Sequence, residues 1–356
     1  MVSREARHAS SRLEAVPRIN CGYYPTPLEE LPRLREATGA RARLLIKRDD
    51  LTGTGFGGNK VRKLDYAIAQ AVEDGHRTIV TIAGEKSNHA RVTAAVCARL
   101  GLRCVLVLNR AAPGTIPGGF KPASRFVYEM LGAEAHWVES REEREPAAQS
   151  LIEKLRSKGE RVAYLPLGVS YPLGALGYVR AVREMLEQCD RIGSRPNYIF
   201  HASTSGGTQA GIIAGCQLFG RGEIKVIGVS PDDSAAQVSG RVAGIVGGLY
   251  RLLGAGERQI TPEQVTVLDR YIGAGYGLDT PESIAAGRLM ALSEGIILDP
   301  AYTSKTAAAM FDWIDKGKLT ERDTVLFWHT GGQLGHFYVE SRKGERSGEC
   351  VREEAH

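Results

Sequence analysis

The feature that most limits the fold is an alternation, along most of the chain, of short runs rich in β-branched residues with longer amphipathic stretches. The short runs predict strands over 43–49, 78–83, 104–109, 134–138, 161–166, 198–202, 225–230 and 324–329. The longer stretches predict helices over 60–73, 88–100, 119–131, 141–158, 174–189, 208–219, 232–252, 280–294 and 304–317. Because parallel strands need crossover connections, this order predicts an α/β fold with mostly parallel, twisted sheets flanked by helices.

Length and composition limit the class of protein. The chain has 356 residues, enough for two domains, and its formal net charge of +5 is spread along the sequence. We therefore expect a solvated surface and no nucleic-acid partner. The sequence has no run of 18 apolar residues, no apolar core of a secretory signal, and no CxxC or metal-ligand spacing among its six cysteines. These features predict a cytoplasmic protein with no membrane partner, no disulfides and no metal.

The ends of the chain differ in composition from the middle. The first fifteen residues and the stretch after Ser341 are polar and charged, so we expect both to be frayed. Proline and glycine cluster over 166–176, which indicates a domain boundary there.

A glycine-rich loop runs directly into one predicted helix in GFGGNKVRKLDYAIAQA, residues 55–71. Apolar residues at helical spacing support this helix, Asn59 is a suitable N-cap, and Lys60 and Lys63 share one face. The positive helix start and the neighbouring ammonium would lower the pKa of Lys60, which gives an amine suited to a Schiff base. Lys63 could stay charged and meet a phosphate. A surface helix with two solvated lysines remains an alternative.

Other loops between strands and helices offer anion sites. Ser87 can cap the helix that begins near Asn88, and the unpaired N–H groups there could bind a carboxylate, although simple capping is an alternative. Residues 203–208 crowd hydroxyl and amide groups into one turn, which is typical of a phosphate site but matches neither a P-loop nor GxGxxG. A fourth loop covers 330–332. An activated lysine, a carboxylate site and a phosphate site together suit pyridoxal phosphate and an amino acid.

Five motifs make the chain resemble a known family: GGNKVRKLDY, SNHARVTAA, GYG (275–277), LDPAYTSKT (298–306) and HTGG (329–332). They are similar to those of the D-cysteine desulfhydrase and 1-aminocyclopropane-1-carboxylate (ACC) deaminase family, over about residues 20–338. The resemblance implies a two-domain, fold-type II pyridoxal-phosphate enzyme of the tryptophan synthase β kind, with the cofactor between the domains. It also implies a large domain from 1–66 and 176–356, a small domain from 67–175, and a homodimer.

The resemblance implies roles for individual residues. Lys60 would hold the cofactor as a Schiff base and take the Cα proton, and Ser87, Tyr276 and Tyr302 would complete the catalytic set. Cofactor contacts would come from Lys60, Lys63, Asn88, Thr204, Ser205, Gly206, Gly207, Thr208 and Thr330. Substrate contacts would come from Lys86, Ser87, Asn88, His89, Tyr171, Tyr276 and Tyr302.

Two positions favour the desulfhydrases over the deaminases. In the deaminases a Glu that pairs with the pyridine nitrogen stands where this chain has Thr303, whereas in the desulfhydrases the nitrogen meets a threonine, here Thr330. The chain also departs from the family near the substrate, with Glu85 and Lys86 in GEKSN and with Tyr171 in GVSYP. These departures concern substrate recognition and leave the cofactor contacts unchanged.

The expected activity is that of a pyridoxal-phosphate lyase acting on a small amino acid. The first candidate is β-elimination from D-cysteine, which gives pyruvate, sulfide and ammonia. One alternative is ACC deaminase activity. Another is a biosynthetic β- or γ-elimination or cyclisation on a larger amino acid, such as S-adenosylmethionine to ACC. An alternative of a different class is a protein that binds pyridoxal phosphate without turnover.

Overall fold

The computed structural model describes residues 4–220, 223–256 and 258–341. The helices in these ranges are α1 (Arg4–Ala15), α2 (Pro32–Thr38), α3 (Lys60–Glu73), α4 (Asn88–Arg99), α5 (Ala123–Met130), α6 (Arg144–Ser157), α7 (Pro172–Arg191), α8 (Gly207–Phe219), α9 (Ala235–Leu253), α10 (Pro281–Glu294) and α11 (Thr303–Asp315). The strands are β1 (Leu28–Glu30), β2 (Arg43–Arg48), β3 (Thr78–Gly84), β4 (Arg103–Asn109), β5 (Phe120–Pro122), β6 (Glu134–Val138), β7 (Val162–Leu165), β8 (Tyr198–Ala202), β9 (Lys225–Val229), β10 (Thr266–Leu268), β11 (Thr324–His329) and β12 (Tyr338–Glu340). None of these helices combines the length and apolar character needed to cross a membrane.

Two sheets organise the chain. The larger has the strand order β1-β2-β11-β8-β9-β10, and all its neighbours are parallel except the antiparallel β1–β2 pair. The smaller has the order β6-β4-β3-β7 and is parallel throughout. A separate antiparallel ribbon joins β12 to β5. The prediction of an α/β fold with mostly parallel sheets flanked by helices is confirmed.

Each sheet is buried on both faces, as parallel sheets require. On the larger sheet, Leu45 packs into a core with α1, α7, α8 and α9, while its neighbours Leu44 and Ile46 point into a second core with α2, α10 and α11. On the smaller sheet, α3, α4 and α5 cover one face and α6 covers the other. The strands of the smaller sheet all come from 67–175, and those of the larger sheet come from 1–66 and 176–356. The two-domain division at those boundaries stays a prediction.

Every predicted strand and helix corresponds to an observed one, but some short elements were not predicted. The expectation of a frayed N-terminus is wrong, because α1 buries Ala6, Ala9 and Leu13 against α8 and α9. The helix predicted over 119–131 begins only at Ala123, because residues 120–122 form β5. The stretch after Ser341, which was also expected to fray, lies outside the described residues, as does Cys350. The other five cysteines are buried thiols.

A buried carboxylate joins four parts of the larger sheet and its helices. Asp49 follows β2 and accepts hydrogen bonds from Arg62 of α3 at 2.8 and 2.9 Å, from Tyr178 of α7 at 2.7 Å, and from Trp328 of β11 at 2.8 Å. Burial alone would raise its pKa, but the Arg62 guanidinium and the Lys47 ammonium outweigh burial and lower the pKa of Asp49 to about 2. This network fixes the first turn of α3 to the sheet.

We expect Asp49→Asn to destabilise the protein by about 3 kcal/mol, because it removes the fully buried carboxylate that pairs with Arg62 and leaves Glu184 to pair with both Arg62 and Lys47. Urea unfolding at pH 7 would measure the loss, with the exposed Asp190→Asn as a control that changes stability by less than about 0.5 kcal/mol. Since the pKa of Asp49 is lowered on folding, its contribution is present above about pH 4 and is lost as the pH falls towards 2. The variant should therefore lose less stability than the wild type over that interval. Equal losses in both proteins would contradict this assignment.

Candidate active site

A cleft of about 560 Å³ lies at the carboxyl ends of the parallel strands of both sheets. Ligand sites in open α/β sheets commonly lie at this edge. The start of α3 and the segments that follow β3, β4, β6, β8, β9 and β11 all contribute to its wall. A segment around residues 274–278 closes another side. The fold therefore brings together loops that are far apart in sequence.

Lys60 is the first residue of α3 and lines the cleft. Burial lowers the pKa of its amine to about 8, against a smaller opposing effect of Asp299. The predicted direction of the shift is thus found, but its main cause is burial and not the helix start or Lys63. Asn59 occupies the N-cap position without capping through its side chain. Its amide instead accepts from Lys60 Nζ at 3.1 Å and donates to Thr208 Oγ1 at 3.0 Å, which orients the lysine towards the loop after β8.

Lys63 lies behind that loop and does not line the cleft. Its ammonium donates to the Gly168 carbonyl at 3.1 Å and to Ser170 Oγ at 3.0 Å. A Cβ atom at Gly207 would lie 2.9 Å from Lys63 Nζ, so a glycine is needed for the lysine to come this close to the start of α8. Burial and the charge of Lys60 lower the pKa of Lys63 well below its usual range. An anion at this loop would supply the opposite charge.

The loop after β8 has the donors of a phosphate site. α8 begins at Gly207, after Gly206 at a φ of +86°, and its first N–H groups have no partners within the helix. The hydroxyls of Ser203 and Thr204 are buried and have no hydrogen-bond partner among the described residues. Buried hydroxyls without partners are costly, so a loop that keeps two of them is suited to an oxygen-rich ligand. We refer to residues 203–208 as the phosphate loop.

The start of α4 forms the opposite wall. Ser87 caps this helix, accepting from the N–H groups of His89 at 3.1 Å and Ala90 at 3.4 Å, as the sequence indicates. The Asn88 side chain lines the cleft and its carbonyl accepts from Arg91 at 3.1 Å. The His89 ring is held between two threonine hydroxyls, and burial and the two lysines lower its pKa to about 3, so the ring is neutral.

Two tyrosines face each other across the mouth of the cleft. The hydroxyls of Tyr276 and Tyr302 are 2.5 Å apart, and burial raises the pKa of both. Tyr302 immediately precedes α11, whose start is held by the buried carboxylate of Asp299. That carboxylate accepts from the N–H groups of Ala301, Tyr302 and Thr303 and from the Thr303 hydroxyl. The sequence analysis missed Asp299, which lies three residues before the N-cap position and so does not match the usual capping pattern.

The residues that depart from the family pattern lie in different surroundings. Glu85 lines the cleft, but its carboxylate is buried and pairs with Arg125 at 2.9 Å. Lys86 lines the cleft, and its ammonium donates to the Thr115 carbonyl at 2.7 Å and to the Tyr338 hydroxyl at 3.3 Å. Tyr171 does not line the cleft and packs against the core beneath α3 and α4.

The structure gathers most of the predicted site residues around one cleft. The lining residues among them are Lys60, Lys86, Ser87, Asn88, His89, Thr204, Ser205, Gly206, Thr208, Tyr276, Tyr302 and Thr330. Lys63 lies behind the phosphate loop with Gly207, and Tyr171 lies apart. The sequence analysis missed Arg141, Arg144 and Asp232, which also line the cleft. They follow β6 and β9, so the rule that places sites at the carboxyl ends of strands could have found them.

Comparison with known proteins agrees with this geometry. A model of the family described as pyridoxal-phosphate dependent enzymes matches residues 19–331. The chain belongs to this family. The D-cysteine desulfhydrase of Salmonella typhi is 33% identical over 90% of this chain and 95% of its own length. A crystal structure of an ACC deaminase homologue is 32% identical, with a TM-score of 0.83 over 93% of this chain and 96% of its own.

A more distant relative shows the fold alone. The diaminopropionate ammonia lyase of Escherichia coli is 17% identical, with a TM-score of 0.60 over 94% of this chain and 88% of its own. The predictions of a fold-type II enzyme, of pyridoxal phosphate as its cofactor and of a pyridoxal-phosphate-dependent lyase are confirmed. The phosphate loop, Lys63 and Lys60 are the residues suited to hold the cofactor's phosphate and aldehyde. The roles of individual residues, the homodimer and the cytoplasmic location stay predictions.

We expect Lys60 to react with cyanate in the cofactor-free protein at lower pH than an exposed lysine does. A pKa of about 8 leaves a large neutral fraction of its amine at pH 7–8, and only the neutral amine reacts. Peptide mass spectrometry between pH 6 and 10 would follow Lys60, with Lys158 as the surface comparison. Identical pH profiles for the two lysines would contradict the lowered pKa.

We expect Thr204→Val to weaken binding of pyridoxal phosphate about tenfold without destabilising the cofactor-free protein. The hydroxyl has no partner within the described chain, so its removal costs no protein hydrogen bond but deprives a bound phosphate of a donor. Absorbance titration and urea unfolding would measure the two effects. Tyr128→Phe, which removes another unpartnered buried hydroxyl away from the cleft, is the matched control and should leave cofactor affinity unchanged. Unchanged affinity in Thr204→Val would contradict the phosphate-loop assignment.

Proposed function

We propose that this enzyme eliminates the β-substituent of a three-carbon amino acid, with D-cysteine as the first candidate and pyruvate, sulfide and ammonia as products. The D-cysteine desulfhydrase of Salmonella typhi, 33% identical over nearly its whole length, supports this reaction. The finer choice of substrate depends on the side chains of the cleft.

The observation that most supports β-elimination over ring opening of ACC is the environment of Thr303. The deaminases resembled by this chain have a glutamate at that position, whereas here the Thr303 hydroxyl is buried and donates to Asp299. Asp299 is itself engaged by three backbone N–H groups and that hydroxyl. This segment therefore offers no carboxylate for the ring nitrogen, and Thr330 is the polar group proposed to meet it. A hydroxyl partner does not keep the ring nitrogen protonated, so the ring is a weaker electron sink. A weaker sink is sufficient when the substrate carries a good leaving group.

Lys60 has the properties of the base in this reaction. Its pKa of about 8 gives it a neutral fraction near neutral pH, and its position on the cleft wall allows it to take a proton from the substrate Cα. Pyridoxal phosphate, when bound, supplies the electron sink for the charge left at Cα. The neutral His89 ring behind the site adds no positive charge that would lower the basicity of the lysine further.

The remaining groups orient the substrate and assist departure of the thiol. The Ser87 hydroxyl, which accepts from the N–H groups of His89 and Ala90, keeps its own proton to donate to the substrate carboxylate, and the positive end of α4 favours an anion there. One hydroxyl of the Tyr276–Tyr302 pair donates to the other across 2.5 Å, and both phenols stay neutral because burial raises the pKa of each. A neutral phenol can donate to a leaving thiolate, so this pair is the proposed acid.

Two other reactions remain candidates. The ACC deaminase homologue has a TM-score of 0.83 and 32% identity, which favours ring opening of ACC as the second function. A biosynthetic reaction on a larger amino acid is the third, and the volume of the cleft, about 560 Å³, is compatible with it. Binding of the cofactor without turnover is disfavoured by the relatives, which are named as enzymes.

We expect the purified enzyme with pyridoxal phosphate to release sulfide and pyruvate from D-cysteine faster than a four-carbon keto acid from ACC. Tyr302→Phe should lower kcat for D-cysteine about 100-fold, because it removes half of the proposed acid pair. Tyr198→Phe, at the amino end of β8 and away from the cleft, serves as a control and should leave kcat unchanged. Faster turnover of ACC than of D-cysteine would establish the deaminase alternative instead.

A further inference from the structure

Arg144 is a buried cation that the proposed reaction does not use. It is the first residue of α6, it lines the cleft, and only 8% of its surface is exposed. Its Nε donates to the Arg141 carbonyl at 2.9 Å. Within residues 4–220, 223–256 and 258–341, no carboxylate lies at salt-bridge distance from its guanidinium. The two terminal nitrogens thus have no anionic partner in this part of the chain.

The neighbouring charges do not compensate Arg144. Arg141 is paired with Asp232, which also lines the cleft, so that pair is close to neutral. Burial and the charge of Arg141 lower the pKa of Arg144, against smaller opposing effects of Glu142, Tyr164 and Tyr276. Burying a guanidinium without a carboxylate is costly, and Arg62 has two carboxylate partners. Among the described residues, Arg91 is also buried without a carboxylate, but it does not line the cleft, whereas Arg144 does.

The location of Arg144 indicates what would pair with it. Arg144 and Tyr276 line the same cleft, and the start of α4 already provides a site for the substrate α-carboxylate. A second anionic group would have to belong to the distal part of the substrate side chain, beyond Cβ. A guanidinium binds sulfate, sulfonate and phosphate oxygens in a bidentate manner, which makes such groups its best partners.

We propose that Arg144 binds an anionic leaving group of the substrate, so that the preferred substrates are three-carbon amino acids bearing a sulfo or phospho group on Cβ. This inference rests on the proposed β-elimination, and it places these anionic substrates ahead of D-cysteine, whose thiol carries no distal anionic group. Asp232 limits the affinity of the cleft for an anion, because it neutralises Arg141, another arginine of the cleft wall.

The reaction on such a substrate balances without a further reagent. With serine O-sulfate, Lys60 takes the Cα proton, the Cβ–O bond breaks, and its electron pair leaves with sulfate. The resulting aminoacrylate takes up one water and yields pyruvate and ammonia. The leaving group is already charged, so it needs a cation close by more than it needs a proton. Arg144 supplies that cation.

The test compares D-serine O-sulfate with β-chloro-D-alanine, because both give pyruvate and only the first carries a distal anion. The measured quantity is the ratio of their kcat/KM values. We expect Arg144→Gln to lower this ratio at least 30-fold, mostly through KM for the sulfate ester, and Arg144→Lys to lower it less. Asp232→Asn should raise the ratio, because it leaves Arg141 without its carboxylate. Arg33→Gln, an exposed arginine of α2 away from the cleft, should leave it unchanged.

A binding measurement separates this inference from the proposed reaction. Calorimetric titration of the enzyme loaded with pyridoxal phosphate would compare D-serine O-sulfate with D-serine in the wild type and in Arg144→Gln. If neither D-serine O-sulfate nor β-chloro-D-alanine yields pyruvate, the proposed β-elimination is wrong. The titration still decides whether Arg144 binds the sulfate group. A wild-type preference for the sulfate ester that is lost in Arg144→Gln supports the inference. An unchanged kcat/KM ratio and unchanged relative affinities in Arg144→Gln would overturn it and leave the arginine a structural residue of α6.

Discussion

The buried ion pair between Asp49 and Arg62 fixes the turn of α3 that carries Lys60 and Lys63. Arg62 stands between Lys60 and Lys63 in the first turn of α3, so whatever holds its guanidinium also sets the direction of both amines. Tyr178 and Trp328 donate to the same carboxylate, which ties α7 and β11 to that turn. A carboxylate buried this completely depends on all of its partners. The positions of the lysines at the cleft therefore depend on contacts in the core behind the site.

Burying Lys60 and Lys63 costs folding free energy, and an anionic cofactor bound beside them would offset part of that cost. Burial lowers the pKa of both, and the charge of Lys60 contributes to the shift at Lys63. No carboxylate of the described chain pairs with Lys63, which reaches the phosphate loop through the space left by Gly207. A ligand that binds the folded state stabilises it by mass action. The burial that lowers the pKa of Lys60 and Lys63 thus also lets a bound anionic cofactor stabilise the folded enzyme.

Much of this arrangement could be predicted from local sequence, and the exceptions have physical reasons. The start of α3 at Lys60 and the capping by Ser87 follow from periodicity and cap chemistry, which act over a few residues. The helix α1 was missed because only Ala6, Ala9 and Leu13 carry its apolar face. β1, β5, β10 and β12 have three residues each, too few for an alternation to be visible. The isolation of Arg144 and the cause of the Lys60 pKa depend on burial, which arises only when distant segments pack together.

The contact between Lys86 and Tyr338 makes the cleft depend on the far end of the chain. Tyr338 lies 252 positions after Lys86 and belongs to β12, which pairs with β5. One wall of the site is therefore assembled from the smaller sheet's loops and a strand contributed after the last strand of the larger sheet. Transplanting residues 67–175 into a relative would carry Lys86 and its acceptor Thr115 but leave Tyr338 behind. Recombination between homologues would therefore separate the two partners of this contact unless both segments were exchanged together.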